Sequence, residues 1–220
     1  MLLILKYFAL TFSALLPVIN PLGSALIFLG IVENAPLDFL RHLSGKVALN
    51  MVLFLLVFEL GGAALLNFFG ISLPVVQLAG GFVLAAMGWE LLNAKDKDPN
   101  TNEVSADLRG TGALEEKAFY PLAFPITAGP GCIVVTLTLS AHASRQALLS
   151  NVFAHLGIAL AIAGLGITVW LSYAYAPKIT QKIAPSTVRG ILRVVAFVLL
   201  CIGVQIGANG LGAIVRGIPK

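Results

Sequence analysis

Two clusters of helix-breaking residues interrupt a chain that otherwise reads as apolar helix. In "PVINPLGSALIF" (Pro17–Phe28) these are Pro17, Asn20, Pro21, Gly23 and Ser24. In "YPLAFPITAGPGCIVV" (Tyr120–Val135) they are Pro121, Pro125, Thr127, Gly129, Pro130 and Gly131. Proline removes a backbone donor and clashes with the preceding turn, so each cluster frees peptide groups from their intrahelical partners. In hydrocarbon an unsatisfied group costs several kcal/mol. Broken backbone therefore persists only where protein or a water-filled cavity satisfies it. Helix N-termini carry about half a positive charge and bind anions. Open donors are expected at Leu22–Ala25 and Gly131–Val134, open carbonyls around Leu16–Ile19 and Phe124–Thr127. Such a pair of ends suits a small zwitterion, with its carboxylate on the donors and its ammonium on the carbonyls. Asn20, Ser24 and Thr127 would add side-chain hydrogen bonds, Gly23, Gly129 and Gly131 would let the backbone approach, and Pro21 and Pro130 would set the breaks. Glycine, alanine or serine should fit best. A kinked, well-packed helix explains either cluster taken alone; two at equivalent places favour a site near mid-span.

Glu59, in "LFLLVFELGGAALL", is the other residue of note. A carboxylate in hydrocarbon must face the interior, be paired or be protonated. It reads equally as a coupling-ion carrier, a partner for a substrate ammonium, or a neutral hydrogen-bonded structural residue. Glu90 is expected to snorkel to the nearby interface. His42, His142 and His155 have no metal-ligand spacing, and His155 is expected to make an interior polar contact. Cys132 and Cys201 read as small buried side chains, so neither a metal nor another cofactor is expected. No metalloprotease, nucleophile-elbow or P-loop motif is present, which removes support for intramembrane hydrolysis and ATP-driven pumping. An enzyme is not expected.

These residues need a membrane scaffold. Of the 220 residues 58% are hydrophobic and only 11% charged, with a mean hydropathy of +0.94. Soluble domains carry about 25% charged residues, so the bilayer is the surrounding medium and nucleic acid is not a partner. Helical spans of about 20 residues are expected at Leu2–Val32, Val47–Asn67, Leu73–Ala94, Ala118–Ala141, Leu148–Ala176 and Ile191–Ala213. The polar stretch Lys95–Lys117 divides them three and three, giving repeat one (1–94), a solvated mobile linker (95–117) and repeat two (118–220). Lys and Arg crowd the linker side, where Arg41, Lys46, Lys95, Lys97, Arg109, Lys117, Lys178, Lys182, Arg189 and Arg193 face only Lys6, Arg145, Arg216 and Lys220 opposite. That bias places the linker in the cytoplasm and both termini outside.

The halves also match each other. Phe82, Val83, Leu84 and Gly88 fall on Phe197, Val198, Leu199 and Gly203 without a gap, and the break in span one has its counterpart in span four. Three spans per repeat turn the second copy upside down, so the expected fold is an all-α membrane protein, a 3+3 inverted repeat with helices one and four broken. Small residues at helical spacing, such as Gly81, Ala85 and Gly88, are assigned to close packing.

"NPLG" in span one together with "FPITAGPG" in span four resembles the MarC family of six-span bacterial inner-membrane proteins, over nearly the whole chain. The resemblance implies an inner-membrane neutral amino acid transporter related to the LysE group. Leu26 departs from it, standing where a further proline is expected, so the second half-helix should run straighter. The leading expectation is a secondary transporter of small neutral amino acids, working by alternating access with a proton or sodium as coupling ion. A passive channel and a non-transporting scaffold are the alternatives, and a homo-oligomer is compatible with the residues.

Overall fold

The computed structural model describes residues 1–32, 35–93, 115–144 and 148–217. Most of the 95–117 linker therefore lies outside the described residues. Every described element is helical: α1 (Leu2–Ile19), α2 (Pro21–Ile31), α3 (Leu37–Phe68), α4 (Leu73–Asn93), α5 (Ala118–Thr127), α6 (Pro130–Ser144), α7 (Leu148–Ala174), α8 (Ala176–Lys182) and α9 (Pro185–Val215). Among the described residues five segments are long and apolar enough to cross a membrane, and α5 with α6, bent by 72° where they join, brings the number to six when the pair is counted as one span.

Local chemistry sets the boundaries. α1 stops at Asn20, which takes a left-handed conformation (φ 46°, ψ 64°). Pro21 then starts α2, as befits a residue with preset φ and no N–H to satisfy. α3 ends on Gly70 (φ 66°), where the amides of Gly70 and Ile71 reach the carbonyls of Asn67 and Leu66 at 3.1 and 2.9 Å. Glycine meets such a turn without a Cβ penalty. α3 begins ten residues earlier than hydropathy alone places it. Its first turns carry Asp38, Arg41, His42 and Lys46 and lie half outside the apolar run. α9 likewise starts ahead of Ile191, at Pro185.

α7 is the central post. Ile158, Ile162, Leu165, Val169 and Tyr173 on it are fully buried, and it packs along α1 and, antiparallel, along α3. α4 and α9 form a second pair through bare glycine faces. A Cβ at Gly203 would stand 2.3 Å from the Ala85 nitrogen and 2.8 Å from the Gly81 carbonyl oxygen. A Cβ at Gly88 would stand 2.5 Å from the Leu200 nitrogen and 3.0 Å from the Ala196 carbonyl oxygen. Only glycine permits two backbones to approach this closely. Cys132 is buried as expected, whereas Cys201 is exposed.

Candidate functional site

At the first break Asn20 caps the helix that follows it. Its Oδ1 accepts the Gly23 amide at 3.2 Å, and its carbonyl accepts both the Ser24 amide at 2.9 Å and the Ser24 hydroxyl at 3.0 Å. Two of the donors expected to be open at Leu22–Ala25 are thus filled by the chain itself. The reason is local: asparagine tolerates the left-handed conformation and folds its short side chain back onto the helix start. α2 then runs without interruption to Ile31.

The second break is wider. Tyr120 and Phe124, each preceding a proline, leave helical geometry (φ −116°, ψ 124° and φ −133°, ψ 126°), a position where α conformation is sterically disfavoured. The backbone of α5 closes in wide turns, with the Ala128 amide on the Ala123 carbonyl at 2.9 Å. Cys132 N–H is taken by the Gly129 carbonyl at 3.0 Å, so the donor row at the start of α6 is also partly filled.

The two breaks meet. A Cβ built at Gly131 would stand 2.2 Å from Leu84 Cδ2 and 3.2 Å from Val18 Cγ1, so Gly131 seats the start of α6 against α4 and the last turn of α1. Its missing side chain is filled by neighbours, which makes it a packing glycine. Gly129 has more room, with the Pro125 carbonyl oxygen at 3.4 Å from a built Cβ. Pro130 is exposed, while Pro21, Ser24, Thr127 and Gly129 are buried and Asn20 and Gly23 partly so. Pro130 thus shapes the break from the outside of the bundle. The breaks also sit off-centre: about 27 Å of α1 precedes the first and about 22 Å of α6 follows the second.

Tyr173, in the last turn of α7, joins them. Its hydroxyl lies 2.8 Å from Thr127 Oγ1, with the Ser24 side chain beside it. Its ring stacks on Phe28 of α2, centroids 4.5 Å apart. All four side chains are buried. Donors are scarce in this cluster: Ser24 gives its proton to the Asn20 carbonyl and Thr127 gives its proton to the Leu122 carbonyl at 2.6 Å. With the Thr127 proton spent on Leu122, the Tyr173 proton bridges to Thr127, and among the described residues no side-chain donor reaches Ser24 Oγ. Spacing alone did not mark Tyr173. A tyrosine at the end of a span looks like one more interfacial aromatic.

Glu59 lies elsewhere. On α3 it contacts His155 of α7, with Oε1 against Nδ1, which bears out the interior polar contact expected of His155. Ser140 of α6 donates to the Glu59 carbonyl at 2.6 Å.

A family model described as MarC family integral membrane protein matches residues 5–215. The chain belongs to the MarC family. Relatives in that family span it almost end to end. A UPF0056 membrane protein of Methanocaldococcus jannaschii is 30% identical over 94% of this chain and 97% of its own, and one of Pyrococcus abyssi is 29% identical over 96% and 97%. A protein of Escherichia coli bearing the name UPF0056 inner membrane protein MarC is 27% identical over 98% and 99%. No solved structure matches this MarC-family chain at comparable significance.

Proposed function

We propose that this MarC-family protein is a secondary transporter of small neutral amino acids in the bacterial inner membrane, with both termini outside. The observation that carries the reading is the buried hydroxyl cluster in which Tyr173 bonds Thr127 of the second break beside Ser24 of the first. Broken backbone at membrane depth is tolerated where it lines a binding site. Because the protons of Ser24 and Thr127 go to backbone carbonyls, their oxygens keep acceptor capacity that a substrate ammonium can take. The carboxylate then takes the α2 N-terminus by displacing the Asn20 side chain, which already occupies that place with an amide oxygen. Small substrates are favoured because Phe28, stacked on Tyr173, closes one side of the cluster.

The inverted-repeat plan is supported by the α4–α9 contacts. Gly203 against Ala85 and Gly88 against Leu200 are exchanged by the same register that aligns Phe82 with Phe197. A pseudo-two-fold of this kind gives a carrier two related conformations of opposite access. Counterflow in proteoliposomes tests the function. Labelled alanine should enter faster when unlabelled alanine is inside. A channel or a scaffold would show no such acceleration.

A further inference from the structure

We propose that Glu59 and His155 form one proton-binding site, separate from the breaks, and that the proton held there drives the transport proposed above. The Glu59 side chain is fully buried, whereas His155 keeps 21% of its side chain exposed. One carboxyl oxygen meets His155 Nδ1, and the other, Oε2, has no partner. On its far side the imidazole Nε2 lies 3.2 Å from Ser144 Oγ, and Ser144 donates to the Ser140 carbonyl at 3.0 Å. α3, α6 and α7 therefore converge on a single carboxyl–imidazole pair.

Nothing else described nearby neutralises it. From α6, His142 is exposed and directs Nδ1 at the Thr138 carbonyl. From α1, the Tyr7 hydroxyl reaches the His142 carbonyl at 3.5 Å, and Lys6 is exposed. α7 offers only His155 in this stretch, and the nearest cation on α3, Lys46, is about 20 Å further along the helix. With one proton the pair is neutral overall, whichever atom carries it. Without that proton a net charge remains in apolar surroundings with an oxygen unpaired, a costly state. The imidazole provides the route: a proton taken up at Nε2 from the exposed side lets the Nδ1 proton pass to Glu59 Oε1, leaving neutral histidine. His155 and Tyr173 lie on one face of α7, about five turns and about 27 Å apart. One rigid helix thus carries both sites.

The driving role rests on the transport reading; the proton site does not. Infrared titration of the purified protein should show a protonated-carboxyl band that disappears in Glu59→Gln. Its midpoint should move by about one pH unit or more in His155→Gln, and replacing potassium by sodium should leave it in place. In proteoliposomes under an inward pH gradient, both variants should lower uphill alanine accumulation at least tenfold relative to counterflow. Monodisperse elution of each variant checks that it folds. A band indifferent to both substitutions, or displaced by sodium, overturns the proton site. Undiminished uphill accumulation in Glu59→Gln overturns its driving role. Absence of counterflow in the unmodified protein overturns the transport reading and the driving role together, while the titration still decides the proton site.

Discussion

The Tyr173 hydroxyl and Thr127 Oγ1 stand 2.8 Å apart between α7 and the irregular helix α5, in full burial. This contact ties the second break to the central helix, and Ser24 of the first break stands beside it. Removing the hydroxyl by Tyr173→Phe keeps the ring stacked on Phe28. It should cost about 1 kcal/mol of stability and, on the transport proposal, weaken alanine binding by about tenfold, because the hydroxyl cluster loses one of its oxygens. Thermal unfolding and calorimetric titration of the same preparation check both values.

Asn20 does two jobs that substitution can separate. Asn20→Gly retains the left-handed backbone and loses only the side-chain cap, for a few tenths of a kcal/mol. Asn20→Val loses the cap and forces a β-branched residue to φ 46°, for about 2 kcal/mol or more. Thermal stability in detergent should therefore rank wild type, Gly, Val. Equal loss in both variants would remove the conformational role assigned to Asn20.

The all-helical, multi-span character, the places where prolines and Asn20 interrupt regular helix, and the family were readable because each rests on local signals: apolar length, proline and asparagine–proline chemistry, and "NPLG" with "FPITAGPG". What escaped were long-range meetings. Tyr173 is remote in sequence from Thr127 and Ser24, and no periodicity announces that three helices converge on it. The self-capping by Asn20 is legible in principle, since asparagine before proline is an N-cap signal, whereas the proline and glycine pattern alone points to open donors. The short helix α8 and the early starts of α3 and α9 carry charged residues, Arg41, Lys46, Lys178 and Arg189 among them, so apolar length alone does not reveal them.

The glycine faces of α4 and α9 give a paired prediction. At Gly203 and at Gly88 the first atoms that a methyl group meets belong to backbone, which cannot rotate aside. Gly203→Ala and Gly88→Ala should each destabilise the protein by about 1–3 kcal/mol. Gly61→Ala and Gly190→Ala, with nothing within 4 Å of the built Cβ, should be neutral or slightly stabilising, as helix propensity favours alanine. Thermal unfolding of the four variants checks this.

At the linker end, Lys46 Nζ lies 2.6 Å from Glu115 Oε2. The hydrogen bond from Lys46 holds the Glu115 carboxyl below the ordinary glutamate value of 4.5. For a depressed carboxyl the stabilisation is present above the unfolded value and is lost as pH falls through the folded one. The tie is therefore intact at neutral pH and opens below the usual carboxylate range. Carbon-13 NMR of Glu115 should give a midpoint under 4.5, rising toward it in Lys46→Met. An unchanged midpoint in that variant would remove Lys46 as the cause.

The most direct measurement is calorimetric titration of the purified protein with alanine and with ethylamine, which keeps the ammonium and lacks the carboxylate. A site that holds both ends of a zwitterion predicts measurable alanine binding and at least tenfold weaker ethylamine binding, with leucine excluded by size. Equal binding of alanine and ethylamine, or binding of neither, would contradict the account and leave the two breaks as packing kinks.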